Sequence, residues 1–200
     1  MKQIIIIHWW DRFADNEQFY EALKKWEYNP FQKQKKWRDW LEEQLKEEYQ
    51  VFLPEMPCKH NADYVAWKIW FEKHFEFLNN EDLILIWYSL GWNFLAKYLA
   101  ENIFPKQIKQ LHLVAPSFDQ EGFIVWDIWN FSFDPNILKN LSIQVEEIFL
   151  YQSEDDPLVP FSQSQKYLQY LPQIKFFKFQ DKGHFFVSEF PELLDAIKGD

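Results

Sequence analysis

"LILIWYSLGWN" spans residues 83–93, and the rest of the chain is interpreted outward from it. The unbroken apolar run 83–86 leads to Ser89 and Gly91, and then to a helix-periodic stretch over 91–100. Apolar residues without alternation describe a strand covered on both faces. A serine between such a strand and a helix is lifted above the sheet, and the next backbone N–H groups aim at the same space. The Leu90 N–H would then donate to a developing oxyanion, helped by the helix N-terminus. An ordinary helix-capping serine looks the same locally. Position 87, where so tight a turn favours glycine, is tryptophan.

Further apolar runs at 3–7, 51–53, 111–114, 147–151 and 175–179 read as strands. Between them, the spacing predicts helices over 33–49, 62–78, 91–100, 161–171 and 191–197. The first carries Trp37, Trp40, Leu41 and Leu45 on one face. Asn61 is placed to cap the second, whose aromatic stripe reads as core packing, and Pro191 opens the last. Alternating β and α elements predict one domain over 1–200, an α/β fold with a doubly wound, mainly parallel sheet and helices on both faces. Ligands in such sheets bind beyond the carboxyl ends of the strands. The polar residues just past those ends are His8, Ser89, Pro116 with Ser117, the pair Asp155 and Asp156, and His184.

Serine, acid and histidine, each after its own strand and in that chain order, match the order of the α/β-hydrolase triad. The chemistry needs each type. A hydroxyl becomes a nucleophile when an imidazole takes its proton, and a buried carboxylate fixes the imidazole tautomer. Taken singly, Asp-Asp-Pro is also a plain turn and a glycine-flanked histidine also a surface residue.

The segments "IIIIH" (4–8), "LPEMP" (53–57), "YSLG" (88–91), "LVAPSF" (113–118), "SEDDPLVP" (153–160) and "GHF…EFPEL" (183–193) carry a resemblance over nearly the whole length. The chain resembles the small serine hydrolases related to retinoblastoma-binding protein 9, a compact branch of the α/β-hydrolase superfamily. The resemblance implies Ser89 as nucleophile, Asp156 as acid and His184 as base, acting on an ester, thioester or amide. It implies an oxyanion hole from the backbone N–H groups of Leu90 and Trp9. It favours Asp156 over Asp155, because the family's acid directly precedes the proline. His8, Trp10, Tyr88, Trp126 and Trp129 are expected to line the pocket.

The chain also departs from that family. "HWW" stands where the family has His-Gly, and "WYSLGW" where it has Gly-x-Ser-x-Gly and a small residue. With 4 glycines and 11 tryptophans in 200 residues, glycine falls far below the roughly 7% of average proteins. Trp9, Trp10, Trp87, Trp92, Trp126 and Trp129 all fall where close backbone approach is expected. They suggest a chain in which site glycines have become tryptophan, with impaired hydrolysis. A catalytically silent binding or scaffold protein is the alternative.

The net charge of −10 argues against nucleic acid or an anionic membrane as main partner. A small acyl compound is the expected substrate, and the sequence names no protein partner. The lone cysteine, Cys58, suits a reducing compartment, and the apolar run in "KQIIIIHWW" is too short for a signal peptide or membrane span, so a cytoplasmic location is expected. No cofactor is implied. His60, His74 and His112 lack metal-ligand spacing, so no metal is expected either.

Overall fold

The computed structural model describes residues 1–8, 13, 15–26, 29, 31, 36–58, 62–89, 92–122 and 129–199. Six strands, β1 (Lys2–Ile7), β2 (Tyr49–Phe52), β3 (Leu83–Tyr88), β4 (Ile108–Val114), β5 (Val145–Ser153) and β6 (Lys175–Phe179), form one sheet in the order β2-β1-β3-β4-β5-β6. Every neighbouring pair is parallel. Parallel pairing requires crossovers, and among the described residues these carry α1 (Asn16–Lys25), α2 (Trp37–Leu45), α3 (Tyr64–Lys73), α4 (Trp92–Glu101), α5 (Leu141–Gln144) and α6 (Phe161–Tyr170), while α7 (Pro191–Lys198) follows the last strand.

The two faces of the sheet hold separate cores. Ile5, Ile7, Leu85, Trp87, Leu111, Leu113 and Leu150 pack with Trp67, Phe71, Phe94 and Leu99 from α3 and α4. Ile4, Ile6, Ile84, Ile86, Tyr88 and Tyr151 pack with Trp37 and Leu41 from α2 and Leu193 and Ile197 from α7. Burial on both sides accounts for the unbroken apolar runs of β1 and β3.

The connection after β1 leads to one side of it and the rest of the sheet builds on the other. The order therefore reverses between β1 and β3, the point at whose carboxyl edge ligands bind in open sheets of this kind. His8 follows β1 there, and Ser89 follows β3.

Several predicted boundaries move. The helix expected over 33–49 is α2 alone, and Tyr49 already pairs in β2 with Lys2. Asp63, not Asn61, caps α3, its Oδ1 accepting from the Ala66 N–H at 2.9 Å; Asn61 lies outside the described residues. Beyond Lys73 the helix tightens into a 3₁₀ turn, His74–Phe77. The aromatic stripe on 62–78 is core in part: Tyr64, Trp67 and Phe71 are buried, while Val65, Ile69 and Trp70 are exposed. Helix α1, not expected from the sequence, has no fully buried residue; Phe19 and Ala22 on it are half-buried. Among the described residues, no helix is long and apolar enough to cross a membrane.

Candidate active site

The chain leaves β3 by a sharp turn in which Ser89 adopts a left-handed φ of 61°. A side chain there costs about 1–3 kcal/mol, and such strain gathers where geometry is functional. Two of the other three non-glycine residues with positive φ also border this edge: Ala115 directly after β4 and Phe185 beside His184. Ser89 is 1% exposed, and its Oγ lies 2.6 Å from His184 Nε2.

His184 sits in a turn after β6, between Gly183 and Phe185, both with positive φ. Its Nδ1 lies 2.8 Å from Asp156 Oδ2 and 3.0 Å from Oδ1. A carboxylate accepts only, so Nδ1 carries the proton and Nε2 presents its lone pair to the serine hydroxyl. The carboxylate is held in turn. Leu158 and Val159 donate backbone N–H bonds to Asp156 Oδ1 at 2.8 and 2.9 Å, and Gln152 Nε2 donates to Oδ2 at 3.1 Å. The side chains of Asp156 and His184 are 0% and 1% exposed. Serine, histidine and aspartate thus form one continuous buried chain of hydrogen bonds.

Asp155 does different work. Its carboxylate is exposed, accepts from Ser153 Oγ at 2.5 Å, and accepts from the Gly183 N–H at 2.9 Å. The Ser153 bond, with the Gly183 N–H adding to it, holds its pKa below the ordinary carboxylate value. Ser153 Oγ also accepts from the Lys182 N–H at 3.1 Å. Asp155 and Ser153 together fasten the histidine turn to the end of β5.

Tyr88, expected in the pocket, is instead 3% exposed and donates its hydroxyl proton to the His184 carbonyl. Its ring packs edge-on against Trp37 at 5.7 Å. Burial, with the Asp156 charge adding to it, pushes the phenol pKa up, opposed by Arg38, so it remains a donor. Its place on the core face of β3 follows from alternation: Ile84, Ile86 and Tyr88 share one side. Ser153 and Gln152 were not singled out in the sequence, and the roles of Tyr88 and Asp155 were not legible there, because they rest on bonds to the distant residues His184 and Gly183.

Trp87 points to the opposite core, fully buried against Phe94 with ring centroids 5.6 Å apart. Among the described residues its indole N–H has no hydrogen-bond partner, and an unmet buried donor costs about 1–3 kcal/mol. Trp92 opens α4 and Trp129 opens the short 3₁₀ turn Trp129–Phe131. His8 is half-buried at the end of β1. Trp9, Trp10, Leu90 and Trp126 lie outside the described residues.

Of the other histidines, His112 is fully buried, stacked on Phe149 at 4.6 Å. Burial drives its pKa down to about 3. Its Nε2–H donates to Gln110 Oε1 and its Nδ1 accepts from the Tyr151 hydroxyl, the neutral tautomer. His60 lies outside the described residues. Among the described residues, no group of histidine, cysteine and acidic side chains could hold a metal ion.

A family model described as serine hydrolase matches residues 30–193. Among solved structures, the ydeN gene product of B. subtilis matches with a TM-score of 0.75 at 18% identity, over 100% of this chain and 98% of that one. A putative YdeN-like hydrolase from Pectobacterium atrosepticum matches with a TM-score of 0.62 at 14% identity, over 100% and 90%. An esterase from Exiguobacterium antarcticum matches with a TM-score of 0.62 at 11% identity, over 100% and 91%. At these identities the structures speak for the fold alone. No curated protein matches the sequence.

Proposed function

The chain belongs to the serine hydrolase family, and on that premise we propose that it cleaves an ester, thioester or amide of a small acyl compound through Ser89, His184 and Asp156. The observation that carries this reading is the strained Ser89, its Oγ 2.6 Å from the unprotonated nitrogen of a histidine oriented by a buried carboxylate. In the reaction, Ser89 Oγ attacks the acyl carbon as its proton passes to His184 Nε2. Asp156 stabilises the resulting imidazolium. His184 then gives the proton to the leaving group, and water, deprotonated by the same nitrogen, releases the acid. The oxyanion would be met by the backbone N–H groups of Leu90 and Trp9.

The tryptophans at 9, 10, 87 and 92 reduce that activity, because they occupy positions that function better as glycine. The unpartnered Trp87 indole beneath the elbow supports this part of the proposal. Oxyanion donors must lie about 2.7–3.1 Å from the developing charge, and losing one costs about 10²–10³-fold in rate.

Hydrolysis of 4-nitrophenyl acetate by the chain and by Ser89→Ala tests the assignment. The account expects turnover that disappears in the variant while the thermal melt stays within a few degrees. Turnover that survives Ser89→Ala rejects this nucleophile.

A further inference from the structure

The 21 basic residues include two arginines, Arg12 and Arg38, so arginine at 38 is an exception in a lysine-dominated chain. Arg38 is also buried, at 8% exposure, in the first turn of α2. Among the described residues its guanidinium has neither a hydrogen-bond acceptor nor an ion pair. The charge of Asp39 reaches it and does not offset burial, which lowers its pKa. A cation held this deep without a protein partner suits an anion that arrives with a ligand.

Its direction follows from the topology. Helix α2 leads into β2, which runs parallel to β1, so α2 begins at the carboxyl edge of the sheet. Side chains on a helix lean toward its N-terminus, which here is the edge where Ser89 lies. Two contacts tie this turn to the site. The Trp37 N–H donates to the Val187 carbonyl at 3.0 Å, three residues past His184. Tyr88, within electrostatic reach of Arg38, precedes Ser89 and holds the His184 backbone.

We propose that Arg38 receives a carboxylate of the substrate, so that this hydrolase acts on acyl compounds that carry a negative charge. The planar guanidinium fork suits bidentate binding of a carboxylate, and lysine does not reproduce it. In a chain of net charge −10, a recessed cation near the nucleophile also sets where an anionic substrate settles. The inference rests on Ser89 as nucleophile for its meaning, but not for its test.

Glutarate is the probe. Its binding is measured by thermal shift on Ser89→Ala protein, with and without Arg38→Gln or Arg38→Lys. In the active chain, the rate of Ser89 labelling by a fluorophosphonate is followed with and without glutarate. The expected result is a glutarate-dependent rise in melting temperature, weakened about 10–100-fold in affinity by Arg38→Gln and only partly restored by lysine. Glutarate should also slow labelling in an Arg38-dependent way. Without ligand, Arg38→Gln should melt no lower than the parent, since no structural bond is lost. Glutarate binding that is absent, or unchanged by Arg38→Gln, overturns the proposal, as does a large drop in the ligand-free melt. If Ser89 is never labelled yet glutarate binds through Arg38, the hydrolase reading fails and the anion site stands.

Discussion

Ser89, Asp156 and His184 are joined by bonds of 2.6 and 2.8 Å, yet Asp155 is one residue from the acid and equally charged. Their neighbours separate them. Asp156 is sealed under His184 with three further donors, whereas Asp155 holds Ser153 and Gly183 from the surface. Asp156→Asn therefore favours the wrong imidazole tautomer, and the rate should fall by about 10⁴-fold, as in the serine-protease precedent. Asp155→Asn loosens the turn that carries the base; a shift near 1 Å costs about 10²-fold, so a smaller but measurable loss is expected. Steady-state kinetics on both variants decide it, and the reverse ranking moves the acid to Asp155. The Asp155 clamp also has a pH signature. Its folded pKa lies below the ordinary value of 3.8, so its contribution is complete above that value and is lost as pH falls through the folded pKa. The Ser89–His184–Asp156 network was legible in the sequence because each member lies in the turn that follows a strand. The clamp was not, because an exposed aspartate in Asp-Asp-Pro reads as turn chemistry until its partner at Gly183 is seen.

At the scale of elements, the site is assembled from the carboxyl ends of β3, β5 and β6, and Tyr88 couples the first to the last. Its hydroxyl ties the final residue of β3 to the backbone of the histidine turn. Tyr88→Phe keeps the ring against Trp37 and removes that bond. It should lower stability by about 1 kcal/mol and reduce kcat more than it raises KM, measured by a urea melt and by ester kinetics. An unchanged kcat would mean that the turn is fixed by Asp155 and Ser153 alone. The strands were readable because two-sided burial writes itself as apolar runs. The end of α2 was not, because Tyr49 continues an apolar pattern while its backbone pairs with β1. Helix α1 was missed although it is amphipathic: it is only half-buried, through Phe19 and Ala22, and is capped by Asp15, whose Oδ1 accepts from the Gln18 N–H at 2.8 Å.

Across the whole molecule, the sheet order reverses between β1 and β3, and the Ser89–His184–Asp156 network lies at the carboxyl edge of the strands, above two filled cores. The imbalance of 4 glycines against 11 tryptophans bears on the same edge. The version with glycine at 9, 10, 87 and 92 should hydrolyse 4-nitrophenyl esters faster than the chain itself, by about 10²-fold or more if one oxyanion donor is regained. Equal rates would show that the tryptophans belong to a working pocket. The central claim, that Ser89 is a nucleophile activated by His184, has a more direct test. The protein is treated with a fluorophosphonate, and the modified peptide is identified by mass spectrometry in the chain, in Ser89→Ala and in His184→Ala. The account predicts a single adduct on Ser89, absent from the first variant and much slower in the second. An adduct on any other residue, or labelling of Ser89 at an equal rate without His184, would contradict it.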